Sequence, residues 1–593
     1  MKRFTTYLLA MILIGLVAGC DGSGDKNAGD NGGATAAGAD FAFYSGARWI
    51  PGDGSPAIEE ATVIVENGKL KSIGKKGEFF APKNSLQVDM AGRTVMPVLV
   101  NVHGHPGLNN GASFGPENYS RESVISDLNR YGYYGVGTIV ALGSDAGDTA
   151  IQIRNEQKDG KLGGARLMTA GRGITAKGGF PTNLLKDLPI QVGTEAEARK
   201  AVDDNAALGV DLIKIWVDDA GGSMPKLKHE LAAAAIDQAH KKNLKAVAHV
   251  FYLADAKDLV KAGIDGIVHS IRDTVVDDGF VAEMKAKNVF YAPTLTAHES
   301  KFIYADKPQW LFDQTLREVY PAQLSGYLLD DTVVNNIKRD PNTAKAKEQY
   351  AIAQKNLKKL ADGGVTIVLG TDSGTARTLP GFFEQRELLL MGEAGMEAMD
   401  IIKAATTNSA DALGLKDQGA LVVGKNADLI VLSANPLEKI ANSKEIFTIY
   451  KGGHEIDRLD MKSKIKIEIP KVSQAEKNAE QNAQIEDAHK AADKNLKHYG
   501  QFPAGNSAMI SPWSVPVPKY AKATSKIGPP HVVTVSYKAS AAELKQFYTE
   551  ALAAGGWKPA GDCFEKTSAI AKKTANLCVA TGSGTATITI TEK

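Results

Sequence analysis

The feature that most constrains the fold of this chain is an alternation of short apolar segments with amphipathic ones between residues 98 and 413. The apolar segments read LVNVH, GTIVAL, RLMTA, DLIKIWV, LKAVAHV, GIVHS, VFYAPT and TIVLGTD, and helical patterns such as EAEARKAVDDNAALG and KHELAAAAIDQAHKK separate most of them. Eight such units predict an α/β fold, a (β/α)8 TIM barrel over residues 98–413, with a doubly wound open sheet as the competing arrangement.

Strand patterns on both sides of this region predict a second domain. FAFYSGARWIPG and EEATVIVENGKLKSIG precede it, with Asn67-Gly68 placed as a two-residue hairpin turn. GKNADLIVLSANP and IFTIYKGGHEID follow it and return to the strand pattern. We therefore expect residues 41–97 and 414–470 to form one composite β-sandwich domain.

The C-terminal part of the chain divides again. Residues 471–500 are polar nearly all round, which predicts an exposed helical linker. Residues 501–593 read as strands and one helix with an apolar face, and they predict a small α+β module that could bind an unknown partner. The module holds Cys563 and Cys578. In an exported protein these predict a disulfide, with two separate buried thiols as the alternative.

The N-terminus predicts export. Lys2 and Arg3 precede an apolar stretch, residues 8–18, that is too short for an ordinary membrane-spanning helix. The stretch ends in LVAGC, which resembles the bacterial lipobox, and a plain secretory signal is the alternative. The resemblance implies that residues 1–20 are a lipoprotein signal peptide and that Cys20 is lipidated. The body would then be anchored to a bacterial membrane, facing the periplasm.

Residues 21–40 are mostly Gly, Ala, Asn and Asp, which predicts a flexible tether. Asp21, directly after the lipidated position, resembles the signal that retains some lipoproteins at the inner membrane. The body itself is soluble in composition, with 43% apolar and 23% charged residues over 593 positions. A net charge of +1 gives no electrostatic case for nucleic-acid binding. A homo-oligomer is possible.

Side chains that can bind metals end four of the apolar segments. His103 and His105 are two positions apart, so they face the same way, toward the mouth of a barrel. The other segment ends carry His249, His269 and Asp372. Histidine and aspartate side chains are ordinary ligands of divalent metals.

Lys214 is the unusual member of the set. It lies inside DLIKIWV, on one strand face with Leu212 and Trp216, where burying an unpaired ammonium is costly. A neutral lysine amine can instead react with carbon dioxide to form a carbamate, an anion able to bridge two metals.

The motifs NVHGH, LIKIWVDDAGG, VAHVFY, GIDGIVHS and VLGTDSG, in this order, resemble the amidohydrolase superfamily over residues 40–460. The nearest branch is imidazolonepropionase-like and also holds metal-dependent dipeptidases. The resemblance implies two divalent ions, zinc or else manganese, iron or cobalt. His103, His105 and Asp372 would hold one ion, His249 and His269 the other, and carboxylated Lys214 would bridge them.

The implied activity is hydrolysis of an amide or related C–N bond, non-peptide or dipeptide-like, in a small molecule. A metal-activated hydroxide would attack, with Asp372 as the proton-transferring residue and Lys214 as the second catalytic residue. A mononuclear hydrolase of cyclic amides from the same superfamily is one alternative. A catalytically inactive, lipid-anchored binding protein is the other.

Several positions depart from the family pattern. Asn101 stands where an aspartate often precedes the metal histidines. Tyr252 replaces the glutamate of deaminases, which argues against deamination. Phe251 and Phe180 replace a tyrosine and a histidine with which dipeptidases commonly grip the substrate carboxylate, so a more apolar substrate is favoured.

Four polar residues are candidates for substrate contact, with ordinary loop interactions as the alternative: Tyr252, Arg172, Arg272 and His298. Residues 297–342 are long for a barrel loop. They would form either a lid over the mouth or two helices packed outside.

Overall fold

The computed structural model describes residues 41–109, 113–466, 477–478 and, with gaps, stretches between 507 and 592. The predicted signal peptide, Cys20, the tether and nearly all of the predicted linker helix lie outside the described residues. Within the described part of the chain, no helix combines the length and the apolar character needed to cross a membrane.

The body of the protein is formed by residues 41–466. Its strands are β1 (Phe41–Trp49), β2 (Ile58–Glu66), β3 (Lys69–Lys75), β4 (Leu86–Asp89), β5 (Thr94–Pro97), β6 (Leu99–Gly104), β7 (Val136–Ala141), β8 (Arg166–Thr169), β9 (Ile174–Ala176), β10 (Ile190–Val192), β11 (Leu212–Val217), β12 (Lys245–Val250), β13 (Gly266–Val268), β14 (Phe290–Ala292), β15 (Leu429–Leu432), β16 (Ile446–Lys451) and β17 (His454–Glu455).

Helices follow most strands of the central region. They are α1 (Arg121–Tyr133), α2 (Thr149–Lys158), α3 (Thr182–Leu185), α4 (Glu195–Leu208), α5 (His229–Lys241), α6 (Leu253–Lys261), α7 (Asp278–Ala286), α8 (Leu295–Glu299), α9 (Gln314–Arg317), α10 (Ala322–Leu328), α11 (Asp331–Arg339), α12 (Asn342–Asp362), α13 (Phe382–Glu393), α14 (Ala398–Lys403), α15 (Ser409–Ala412) and α16 (Arg458–Ser463).

Local sequence explains where a helix such as α4 begins and ends. Thr194 accepts a hydrogen bond from the Glu197 amide, and the Glu197 carboxylate accepts one from the Thr194 amide, which closes a capping box. Gly209 ends the helix in the left-handed region at φ +79°. Ala198, Ala201 and Val202 form the buried face between these ends.

The flanking strands form one mixed sheet in the order β17-β16-β15-β5-β1-β2-β3, with β4 paired to β1. The predicted turn between β2 and β3 is present, with φ of +50° at Asn67 and +76° at Gly68, as a two-residue hairpin loop requires. Leu429 of β15 pairs with Pro97 of β5, so the chain returns after the central region to the strand from which it left.

The central region is α/β and parallel, but no sheet among the described residues closes into a barrel. Its strands form two sheets, β6-β7-β8 and β10-β9-β11-β12-β13-β14. The eighth predicted strand, TIVLGTD, makes only isolated bridges, Tyr291↔Ile367 toward β14 and Gly104↔Ser373 toward β6. It thereby joins the two sheets on one side, because its neighbours are the strands predicted as first and seventh in the barrel.

Residues 297–342 are occupied by short helices with their own apolar cluster. Tyr304, Leu311 and Leu324 are buried there against Tyr134 and Phe383. The segment is therefore packed as short helices, and its role as a lid over the mouth stays a prediction.

The C-terminal module is α+β in the described residues. Its strands are β18 (Ser507–Ile510), β19 (Trp513–Pro516), β20 (Lys522–Lys526), β21 (His531–Ser536), β22 (Lys558–Ala560), β23 (Cys563–Thr567), β24 (Thr574–Gly582) and β25 (Thr585–Glu592), and its helix is α17 (Ala541–Ala554). The antiparallel sheet runs β20-β21-β25-β24-β23-β22. A disulfide joins Cys563 to Cys578 across β23 and β24. The apolar face of α17 is buried as its spacing indicates, at Leu544, Phe547, Tyr548 and Leu552.

Candidate metal centre

His103, His105 and Asp372 converge at the end of β6. The Nε2 atoms of His103 and His105 lie 3.1 and 2.8 Å from Oδ1 of Asp372. One ligand atom from each residue fits within 4.8 Å of the others, which is close enough to share an ion. Both imidazoles are buried and the carboxylate is only partly exposed.

Main-chain contacts between the first and last segments of the central region set this arrangement. The amides of Thr371 and Asp372 both donate to the His103 carbonyl, at 3.2 and 2.9 Å. Asp372 has φ +59°, a strained conformation for a residue with a side chain. A Cβ on Gly374 would lie 2.3 Å from the His105 carbonyl oxygen, so glycine is required for this close approach.

Lys214 projects from the middle of β11 and is fully buried. Its Nζ has no hydrogen-bond partner among the described residues. Burial lowers the pKa of Lys214 to about 7, although the nearby Asp372 carboxylate opposes the shift. The amine is therefore neutral in a large fraction of molecules near neutral pH.

His249 and His269 lie beside this group. The ring centroid of His269 is 4.1 Å from that of His249 and 4.7 Å from that of His103. His249 Nε2 is 2.7 Å from Oδ2 of Asp218, and because a carboxylate only accepts, Nε2 carries the proton and Nδ1 keeps its lone pair. His269 Nδ1 is 2.9 Å from the Thr294 hydroxyl, which leaves Nε2 as its remaining nitrogen.

The protonation states suit ligands. Burial, aided by the positive charge of Lys214, lowers the pKa of His103 to about 3. Burial also lowers the pKa of His249 and takes that of His269 well below its usual range. Burial raises the pKa of the Asp372 carboxyl, but the two neighbouring histidines more than offset this and hold it far below its ordinary value. Neutral imidazoles and an ionised carboxylate are the forms that bind metals.

Two acids that hold these residues were not recognisable from the sequence pattern. Asp218 follows β11 in the motif LIKIWVDDAGG, and its position two residues after Trp216 gave no sign of its contact with His249. Glu384 of α13 stands beside Arg386 and Glu387 in the sequence FFEQRE, so nothing in the pattern set it apart from its charged neighbours. Its carboxylate accepts from Asn101, Thr371 and Ser373.

The four candidate substrate residues fall in different surroundings. Arg172 donates to the carbonyl oxygens of Leu188 and Asp187, at 2.7 and 2.9 Å, so its guanidinium ties down a loop. The Tyr252 hydroxyl donates to Oδ1 of Asp219 at 2.9 Å. His298 is buried, with its ring centroid 5.9 Å from that of His269. The structure thus brings His298, but not Arg172, into contact with a predicted metal ligand.

Arg272 is 6% exposed and makes no ion pair with the described residues. Its Nη1 donates to the carbonyl oxygens of Ser270 and Val250, and its buried Nε has no partner. The guanidinium carbon lies 4.5 Å from the Phe251 ring centroid. Burial lowers the pKa of Arg272 to about 10, which still leaves it a cation at neutral pH.

Comparison with known proteins adds a family and several relatives. The model of the amidohydrolase family matches residues 94–456. Ochratoxinase of Aspergillus niger is 27% identical over 361 residues, which cover 58% of this chain and 61% of that protein, less than two thirds of its length.

Solved structures are similar as well. A Xaa-Pro dipeptidase with bound methionine in its active site has a TM-score of 0.57 and 24% identity, covering 70% of this chain and 100% of that one. Molinate hydrolase has a TM-score of 0.56 and 19% identity, covering 71% and 95%. At these identities the likeness supports a shared fold of the TIM-barrel type with a β-rich domain.

Proposed function

The chain belongs to the amidohydrolase family, and from that premise we propose that it is a metal-dependent hydrolase of a C–N bond in a small acyl compound. The observation that carries the proposal is the convergence of His103, His105 and Asp372 beside the unpartnered, buried Lys214. Ligand-type side chains in their metal-binding protonation states, at the ends of parallel segments, are what such chemistry needs.

The residues fit a pair of divalent ions. His103, His105 and Asp372 would hold one ion, and Nδ1 of His249 with Nε2 of His269 would hold the other, because their opposite nitrogens are already engaged. Zinc, manganese, iron and cobalt all suit these ligands.

Lys214 would bridge the two ions as a carbamate. The neutral Nζ would attack the carbon of CO2, so that a C–N bond forms while one C=O π bond breaks and its electron pair moves to oxygen, and one N–H proton leaves to solvent. A pKa near 7 makes the reactive neutral amine available at physiological pH. The carbamate would replace a buried amine that has no hydrogen-bond partner by an anion whose oxygens can bind the ions.

Bound ions would polarise the substrate carbonyl and make a water molecule acidic enough to attack it near neutral pH. Asp372 would take the proton of that water, since its carboxyl is ionised, and pass it to the leaving nitrogen.

The substrate would carry a carboxylate near an apolar group. Arg272 is a buried cation with no carboxylate in ion-pair contact among the described residues, and the nearby Asp218 and Asp372 only partly offset the cost of burying its charge. The exposed Lys301 lies near enough for its charge to repel that of Arg272, and both interact with Asp372 at the metal site. Phe251 under Arg272 and Phe180 beside His249 supply apolar surface. An apolar N-acyl amino acid meets both demands, with Tyr252 and His298 as further candidate contacts.

A mononuclear hydrolase of cyclic amides is the second candidate. It is favoured by one observation: within the described residues, the trio of His103, His105 and Asp372 is the one group of three ligands that meets around a point. In this case Lys214 would stay an amine.

The deciding measurement is bound metal per chain, by elemental analysis of protein lacking residues 1–20 and prepared with zinc or manganese and bicarbonate. About two ions support the binuclear hydrolase, about one supports the mononuclear form, and none contradicts both. The variant carrying both His103→Asn and His105→Asn is the control for adventitious metal.

Activity is then tested on a matched pair, N-benzoyl-L-phenylalanine and N-benzoylphenethylamine, which differ only in the carboxylate. Preference for the acid that disappears in Arg272→Gln supports the assigned substrate class. Equal hydrolysis of both compounds would support a hydrolase but contradict the proposal that its substrate carries a carboxylate. Hydrolysis of neither, together with a cleaved lactam, selects the second candidate.

Localisation is part of the proposal. The protein would be exported, lipid-anchored through Cys20 to a bacterial membrane, with Asp21 favouring the inner one. Labelling with a radioactive fatty acid should mark the wild type and not Cys20→Ser. Label on both would contradict the anchor.

A further inference from the structure

One buried carboxylate, that of Glu384, contacts both of the chain segments that carry His103 and Asp372. Oε1 of Glu384 accepts hydrogen bonds from Nδ2 of Asn101 at 2.7 Å, from the Thr371 hydroxyl at 2.7 Å and from the Ser373 hydroxyl at 2.6 Å. Oε2 accepts from the Gly381 amide at 2.6 Å. Glu384 is fully buried, and every one of these partners donates to it.

The partners of Glu384 are the immediate neighbours of metal ligands. Asn101 reaches the first segment, because its Oδ1 accepts from the His103 amide at 2.9 Å. Thr371 and Ser373 flank Asp372 on either side. The Asn101 amide group also donates to the Thr371 hydroxyl at 2.8 Å, so the two segments are bound to each other as well as to Glu384.

The Asn101 amide and the Glu384 carboxylate are complementary as hydrogen-bond donor and acceptor. Asn101 offers an NH2 group that donates to Glu384 and an oxygen that accepts from His103, so both ends of its side chain are used. An aspartate at position 101, where the family often has one, would place a second acceptor-only carboxylate about 2.7 Å from the first. Like charges at that distance in a buried site repel strongly.

We propose that Glu384 is a positioning residue of the metal centre and that it forms a matched pair with Asn101, in which the helix supplies the carboxylate and the strand supplies the amide. Through Asn101 it fixes the main chain at His103, and through Thr371 and Ser373 it fixes the turn at Asp372. The role rests on the proposed metal site but not on the identity of the substrate.

The test exchanges the two chemical groups. Asn101→Asp sets two carboxylates face to face, and Glu384→Gln replaces one carboxylate oxygen by an NH2 donor, which meets either the Gly381 amide or the three donors on Oε1. The double variant Asn101→Asp with Glu384→Gln again has one carboxylate and one amide. Each single variant should bind zinc about 10- to 100-fold more weakly, as is typical when a group that orients a metal ligand is lost. The double variant should return to within about threefold of the wild type if the pair is matched.

Zinc affinity is measured by competition with a chromophoric chelator, and the visible absorption of the cobalt-loaded proteins reports the ligand geometry. Unfolding midpoints of the metal-free proteins separate positioning from general stability. Asp428→Asn is the matched control, because Asp428 is also a buried carboxylate that accepts from an amide, that of Gly452 at 2.7 Å, but it lies in the flanking sheet domain. This variant should lose stability while its zinc affinity and cobalt spectrum stay unchanged.

A double variant that binds zinc no better than the weaker single variant would overturn the matched pair. Single variants with the affinity and spectrum of the wild type would overturn the positioning role while leaving the proposed function intact. A wild-type protein that binds no zinc, manganese or cobalt would overturn the metal site and this role with it.

Discussion

The two halves of the metal centre are held in place by different means. In the first half, His103, His105 and Asp372 are fixed by main-chain hydrogen bonds between neighbouring segments, reinforced by the side chains of Asn101 and Glu384. In the second half, His249 and His269 are each oriented by one side chain, Asp218 and Thr294. The first half is therefore held by several contacts at once, whereas each histidine of the second half depends on a single side chain that substitution can remove. Four predictions test this contrast.

The largest effect is expected from Asp372→Asn, which removes both a ligand of the first half and the group proposed to transfer the proton. Catalytic turnover should fall by on the order of 1,000-fold. The backbone of the first half should persist, so the variant should keep its unfolding midpoint within a few degrees. Steady-state kinetics and thermal unfolding measure the two quantities. Retained turnover would remove Asp372 from the mechanism.

Lys214→Met tests both halves of the metal centre together, because the carbamate would be the one group shared by both ions. Methionine fills the apolar site, so the fold should persist while bound metal falls from about two ions to about one, with turnover lower by about 100-fold. Elemental analysis and kinetics give the answer. Two ions bound to the variant would mean that Lys214 does not bridge.

Asp218→Asn tests the second half alone. The introduced amide can still accept a hydrogen bond from Nε2–H of His249, but it carries no charge. The ion held by His249 and His269 should therefore lose about 10-fold in affinity. The ion held by the first half should be unaffected. Stepwise removal of metal by a chelator distinguishes the two ions, and equal weakening of both would contradict the separation of the halves.

The smallest effect concerns the metal-free protein and pH. The pKa of Lys214 is about 7 in the folded state and 10.5 ordinarily, so between these values the unfolded chain binds more protons. The free energy of unfolding should therefore rise with pH above 7, by at most about 1.4 kcal/mol per pH unit. Below pH 7 the lysine is protonated in both states, so it adds nothing to the pH dependence. The slope should be shallower in Lys214→Met. Urea unfolding at pH 7, 8 and 9 measures it, and identical slopes would place the lysine amine in a less buried setting.

Local chemistry explains what was predictable. Asn67-Gly68 specifies its hairpin because two residues with positive φ suffice, and the ends of apolar segments indicated the histidines that the structure brings together, because strand direction fixes where they point. The disulfide and the buried face of α17 also follow the sequence pattern.

What could not be predicted depends on contacts between distant segments. Glu384 and Asp218 are ordinary acids until the fold places them against Asn101 and His249. The segment TIVLGTD has a strand pattern, yet it makes only isolated bridges, and the chain turns at Asp372 with positive φ where the carboxylate meets the histidines. Arg172 looked like a substrate residue by position, and its bonds to nearby carbonyl groups depend on a loop geometry that no pattern encodes.

The return of β15 to β5 has a consequence for biogenesis. The hydroxyl of Tyr44 donates to the carbonyl of Gly453, 409 positions later, and β15 supplies the partner edge of β5. The first strands to be synthesised therefore cannot complete their sheet until nearly the whole body has been made. Such long-range pairing is slow, so we expect the N-terminal strands to expose their apolar faces until the late strands are available to pair.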